Sequence, residues 1–273
     1  MLSTGARTVR AFLKALMVAS ALGVAFAQVP PDPARVAADP AKAPPDLAKL
    51  VAKRATETRA AREQYTYQQS VLVEEINAKG VTVGRYQEKR EVIFSPESGR
   101  TEHLIGKPIS TLQRLGLTPE DFADVQQIQP FLFGAEQLWS YKTEFKGEEK
   151  MDGVDCWVLE VRPRQVLEGQ RLFDGMIWVD KKDYSIVRTY GKAVPDLRSY
   201  SGTENLFPRF TTLWEPVEGG FRFPVLTRGD DQLAFRQGAQ RIRLTIRYSD
   251  YKRFGAESSI KFGSEAAPPA PPK

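Results

Sequence analysis

The stretch FDGMIWVDKKDYSIVRTYGK, residues 173–192, decides the fold class. Two runs of strand-forming residues, 176–179 and 184–190, flank the charged break Asp180-Lys181-Lys182-Asp183. β-Branched and aromatic residues on both sides of a polar turn are the signature of a β-hairpin. The first arm, Met176-Ile177-Trp178-Val179, is apolar at every position. Successive strand side chains point to opposite faces, so both faces of this arm need cover. Whether protein or ligand covers the second face is left open by the sequence.

Working outward, the same period of two recurs. Residues 210–215 and 221–228 read as a second hairpin joined across Glu218-Gly219-Gly220. In RIRLTIRY, Ile242, Leu244, Ile246 and Tyr248 alternate with Arg241, Arg243, Thr245 and Arg247. Upstream, Tyr65, Tyr67, Val71 and Val73 share one strand face, and a turn at 77–80 leads to a return strand over 84–95 carrying Tyr86, Val92 and Phe94. Further strands are expected near 100–105, 139–145 and 156–161, giving nine or ten in all, nearly all joined as hairpins. So many strands will not stay flat. The expected fold is α+β, mostly antiparallel β, built on one strongly curved sheet.

Two helical segments interrupt this pattern. Asp46 is placed to cap a helix running to about residue 64, with Leu47, Leu50, Val51, Ala55 and Thr58 on one narrow stripe. Thr118-Pro119-Glu120-Asp121 is a helix start, with a capping threonine, proline at the first helical position and acids in the first turn. Phe122, Val125, Ile128 and then Phe131-Leu132-Phe133 follow. A short apolar insertion of this kind either plugs the concave side of the sheet or acts as a lid.

The ends of the chain predict its destination. Arg7, Arg10 and Lys14 precede the apolar run 15–26, which closes on Ala25-Phe26-Ala27. A charged start, a short apolar core and a small-residue exit describe a secretory signal peptide, cleaved after Ala27. A membrane span needs roughly 20 apolar residues. Losing three basic residues lowers the formal net charge from +5 to +2, which leaves no nucleic-acid footprint. Residues 28–45 and 256–273 are Pro/Ala-rich and too poor in large apolar groups to fold, so they read as a linker and a tail. One domain over 46–255, monomeric, is expected.

Candidates for chemistry are few. His103 is the only histidine and Cys156 the only cysteine, too few for a zinc site of the usual kind. Neither a G-x-S-x-G elbow nor a glycine-rich phosphate loop occurs. No cofactor, metal or catalytic residue is assigned. Two constellations remain. Arg241, Arg243 and Arg247 form a row that either binds an anionic partner or solvates an outer face. The second is a surplus of large apolar groups: Phe122, Phe131, Phe133, Trp157, Leu159, Ile177, Trp178 and Phe223 are candidates for lining a hydrophobic cavity between sheet and helices, or for an ordinary core.

The segment GVDCWVLEVRP together with the opening hairpin resembles the LolA-like family of periplasmic lipoprotein carriers and their outer-membrane-lipoprotein-sorting relatives. Gly153, residues 157–163 and residues 177–188 carry the likeness. The resemblance implies an unclosed β-barrel with helices over its concave side and a cavity that shelters acyl chains of a lipid or lipoprotein. It also implies membrane-bound partner proteins. In regulatory relatives the same fold senses lipid or lipoprotein and restrains an anti-sigma factor. The carriers' gating arginine has no matching position here, and residues 193–209 form a longer segment than theirs.

Overall fold

The computed structural model describes residues 43–95, 99–198 and 204–254. The expected leader and tail, and all but the end of the expected linker, lie outside the described residues. Helix α1 (Leu47–Arg62) buries Leu47, Val51, Ala52, Ala55 and Thr58 along one stripe. Asp46 occupies the N-cap, yet its side chain makes no capping hydrogen bond. Strands β1 (Tyr65–Ile76) and β2 (Thr82–Ser95) follow, then β3 (Gly99–Leu104) and the two-residue β4 (Ile109–Ser110). In the first turn Asn77 Oδ1 accepts from the amides of Lys79 and Val81 at 2.9 and 3.0 Å.

Helix α2 (Pro119–Gln127) starts as its sequence demands. The Thr118 hydroxyl accepts from the Asp121 amide, and the Asp121 carboxylate accepts from the Thr118 amide. After a 3₁₀ turn at Ala135–Gln137 come β5 (Tyr141–Met151), β6 (Val154–Pro163), β7 (Leu172–Asp180) and β8 (Ile186–Val194). A small ladder pairs β9 (Leu197–Arg198) with β10 (Glu204–Asn205), and the chain continues through β11 (Phe210–Pro216), β12 (Arg222–Phe235) and β13 (Gly238–Arg253).

Eleven strands make one antiparallel, unclosed and curved sheet in the order β3-β2-β1-β13-β12-β11-β8-β7-β6-β5, with β4 beside β2. The hairpins arise as expected. The pairing of β1 with β13 does not follow from neighbour-to-neighbour reading: the first and last strands lie side by side in the interior of the sheet. The two edges therefore fall at β3/β4 and at β5, and residues 111–140 must travel from one to the other. They do so across the concave face. Val125 enters a core with Val71, Val73, Ile242, Leu244 and Ile246. Ile128, Phe131, Leu132 and Phe133 enter a second core with α1, Leu159, Ile177, Val179 and Phe210.

Curvature has local causes. Register shifts leave an extra residue in β2 at Val83, in β5 at Lys146, in β8 at Val187 and in β12 at Val225, and bulges bend the strand that carries them. A row of paired residues also crosses the sheet from Val161 through Gly175, Gly191, Phe210, Gly229 and Leu244 to Val73 and Tyr86. Its glycines face inward where other groups press close. A Cβ at Gly191 would stand 2.7 Å from the Phe173 ring, and one at Gly229 would stand 2.7 Å from the Arg209 carbonyl. Phe173 lies over the Gly175–Gly191 pair, and Phe131 stacks on Phe173 with centroids 4.4 Å apart. The crossing segment is thus seated on the bend.

The hairpin resolves its own puzzle. Ile177 and Val179 face the concave core beneath α1. Met176 and Trp178 face the other way, into a small outer cluster with Cys156, Val158 and Val187. The Trp178 indole donates to Glu149 Oε2 at 2.6 Å, and the Arg188 guanidinium stands 5.0 Å from the indole ring. Protein covers both faces.

Glu75 is fully buried, and its carboxylate accepts from the amides of Gln113, Arg114 and Leu115 at 2.7–2.9 Å. Gly84 leaves room for this, since a Cβ there would meet Glu75 Oε2 at 2.4 Å. Replacing Glu75 with Gln turns one acceptor into a donor that faces amide N–H groups. Unsatisfied buried groups cost about 1–3 kcal/mol, so Glu75→Gln should lower the urea midpoint by a corresponding amount with an unchanged m-value.

Candidate functional site

A cavity of about 310 Å³ opens where residues 114–118 and 204–208 stand over the β1–β13 floor. Val73, Ile242 and Leu244 form the floor because alternation turns them inward, and Phe235 closes one side. The three amides on Glu75 pin the first wall. The second is held by Asn205, whose Nδ2 donates to Asp121 Oδ1 at 2.6 Å and to Thr118 Oγ1 at 3.1 Å. Leu206 and Phe207 then point into the interior as buried residues. Buried aliphatic groups lie below and exposed Arg114 and Gln237 stand at the rim, with Asp121 and Glu204 also in the lining.

The rim cation is uncommitted to any acid among the described residues. Arg114 donates to Gln240 Oε1 at 3.0 Å and to the carbonyls of Gln237 and Ala239 at 3.3 and 3.5 Å, all of them neutral. Asp121, also in the wall, is mostly buried, and desolvation pushes its carboxyl up to about 6 against the hydrogen bonds from Thr118. Asp124, one turn on, is likewise raised by burial, although Arg171 pairs with it. Arg171 also donates to the Pro195 carbonyl at 2.6 Å, so one guanidinium ties α2 to the segment after β8.

This cavity can accept an apolar chain with an anionic end. Among the described residues no three His, Cys, Asp or Glu side chains gather as a metal site. His103 is exposed opposite Glu91 on the β3 edge. Cys156 is fully buried, and burial followed by the charge of Asp180 pushes its thiol up to about 12. Glu88 and Glu102, side by side on the concave face, are bridged by Arg90 at 2.7 and 2.6 Å.

The structure distributes the anticipated residues widely. Phe131, Phe133, Leu159 and Ile177 sit in the closed core beneath α1, where Trp157 packs against its margin. Phe223 is fully buried between Tyr65 and Tyr251, with centroids 5.0 and 5.1 Å away. Phe122 lies beside Tyr86 and Arg90 on the concave side. Trp178 is on the opposite face altogether. None of the eight lines the cavity at 114–118. Of the arginine row, Arg241 and Arg243 converge on Asp230 at 2.6 and 3.1 Å on the outer face. Arg247 is exposed and makes no ion pair among the described residues. Of the cavity's own residues, alternation in the sequence marked Val73, Ile242 and Leu244 on one strand face and the capped start marked Thr118, but nothing local placed the walls over that floor.

No family model matches the chain, and no curated protein does. Solved structures do. A DUF1329 family protein from Desulfovibrio piger aligns with 15% identity over 78% of this chain and 93% of its own, at a TM-score of 0.38. A LolA superfamily protein from Nitrosomonas europaea gives 18% identity, 74% and 93% coverage and a TM-score of 0.31. An outer membrane lipoprotein-sorting protein domain from Vibrio parahaemolyticus gives 13%, 78%, 94% and 0.33. The superfamily anticipated from the hairpin segment is thus among the likenesses. At these TM-scores they say nothing of what this chain binds.

The raised carboxyl of Asp121 has a defined pH consequence. Its folded value lies above the ordinary 3.8, so its favourable contribution is complete below about pH 4 and is lost as pH rises toward 6. A carboxyl resonance titrating near 6, with stability falling across that window in the parent and not in Asp121→Asn, is the expected result by NMR and urea unfolding.

Proposed function

We propose that this chain is an exported, non-catalytic periplasmic binder of an acylated amphiphile, lipid or lipoprotein, which it carries between membrane-bound partners in outer-membrane biogenesis. The single observation behind the reading is the cavity's polarity gradient, from Ile242 and Leu244 at the floor to the guanidinium of Arg114 at the rim, which makes no ion pair among the described residues. An acyl chain entering tail-first leaves its anionic or polar head beside Arg114. At about 310 Å³ the cavity is at the low end of ligand sites, roughly 300–1,000 Å³. It shelters a short chain or the end of a longer one.

Energetics favour a carrier over a tight receptor. A chain of about 15 carbons gains about 12 kcal/mol on burial at ~0.8 kcal/mol per CH₂, and a bilayer offers nearly the same. Loading and release therefore depend on partners that hand the cargo over. The likeness to a lipoprotein-sorting domain is in keeping with this reading and too distant to support it.

Native mass spectrometry of the chain from Gln28 onward, isolated gently from the periplasm, tests the reading. The expected spectrum carries adduct mass that organic extraction removes. Phe235→Asp, at a half-buried lining position, should weaken uptake of a palmitoylated peptide by about tenfold or more, since a buried aromatic is worth ~1.5–3 kcal/mol. A clean mass that stays unchanged after incubation with phospholipid and palmitoylated peptide sinks the proposal. The periplasmic domain of a membrane protein then becomes the partner to seek.

A further inference from the structure

The residue row through Gly175, Gly191, Phe210 and Leu244 divides the sheet into two ends. The turn at 77–81, the approach to β5 at 139–140, the loop 164–171 and the cavity walls all project from the same one. Nine large apolar side chains stand exposed among the described residues, and their placement is uneven. Val81, Val83, Trp139, Val166 and Leu167 are at this end, Leu104, Ile105 and Ile109 are on the adjoining β3/β4 edge, and Phe254 alone is at the other end. Trp139 is 75% exposed and Leu167 52%. The two lie near each other, because the Arg164 amide donates to the Ser140 carbonyl at 2.8 Å and Tyr141 pairs with Pro163.

Charge sorts the same way. Lys79 and Arg85 flank Val81 and Val83, while Lys142 and Arg164 flank Trp139 and Val166. All four are exposed, and none makes an ion pair among the described residues. On the outer face of β13, Arg241 and Arg243 are paired with Asp230, while Arg247 makes no ion pair among the described residues. Large apolar groups gathered in the open at one end mark an interaction surface. Amphipathic aromatic groups and basic side chains together match the headgroup layer of an anionic bilayer.

We propose that this end of the sheet is a membrane-docking face that seats on an anionic phospholipid surface. The proposal does not depend on what occupies the cavity, although the cavity opens at the same end. Docked this way, the rim at Arg114 lies next to the headgroups.

Co-sedimentation of the mature chain with phosphatidylglycerol-containing vesicles, against pure phosphatidylcholine vesicles, tests it. Binding is expected to the anionic vesicles only, to fall at high salt, and to shift Trp139 emission to the blue. Lys142→Glu with Arg164→Glu should weaken it roughly 30-fold, at about fivefold for each basic group near the surface. Trp139→Glu with Leu167→Glu should abolish it. Urea unfolding confirms that each exposed-site variant folds, and the charge pair stands as the test if the apolar pair does not. Equal binding to neutral vesicles, no binding to either, or binding unchanged in the variants overturns the assignment. Vesicle binding that persists in a protein with no acyl adduct counts against the cavity reading alone.

Discussion

The pairing of β1 with β13 is the constraint on which the rest of the structure depends. It joins residues 65–76 to residues 241–253 across most of the described residues, a closure whose entropy cost grows only slowly with loop length. By placing both strands inside the sheet it consigns β3/β4 and β5 to the edges. The chain between those edges has one short route, over the concave face, and that route makes residues 111–140 a cover. Helix α1 supplies the rest. Arg54 reaches Ser185 Oγ at 3.0 Å and the Gly220 carbonyl, and Arg59 reaches the Leu132 carbonyl at 3.1 Å. The helix is fastened both to two hairpin turns and to the cover itself.

Beneath this cover the interior is divided. The Thr212 hydroxyl donates to the Gln129 carbonyl at 2.7 Å and so accepts from Thr227 at 2.7 Å, and the Tyr248 hydroxyl stands 3.5 Å from Thr227. This hydrogen-bonded stripe runs between the aromatic core under α1 and the aliphatic core on β1 and β13. Buried polar groups that find partners fix one register, and here they fix where the cover meets the sheet. The aromatic side is filled to closure. The cavity lies on the β1–β13 side, where Phe207 and Phe235 line it beside Val73, Ile242 and Leu244.

Most of the sheet was legible because strand alternation is a local property. The run 241–248 shows inward and outward residues plainly, and the hairpin at 173–192 declares itself by its charged turn. Thr118 declares the start of α2 by chemistry confined to four residues. The β1–β13 partnership was not legible, since no local pattern encodes which distant strand a strand will choose. The cavity was missed for a related reason. Most of the eight large groups anticipated fill the cores, whereas the cavity forms where Val73, Leu244 and Ile242 meet walls held off by Glu75 and Asn205 and carrying Phe207. Glu75 sits with Gln69 on the buried face of β1 among Tyr65, Tyr67, Val71 and Val73, and a carboxylate at such a position is the one sequence sign that a loop is anchored there.

Cys156 carries a practical consequence. It is the only thiol in the sequence, it lies under Trp178 in the outer cluster with no exposed surface, and burial keeps it in the unreactive protonated form. The native chain is therefore silent to thiol reagents. A cysteine introduced at any surface position becomes the single addressable handle, and paired probes on the cover and on β13 can report the distance between them without first removing a native residue.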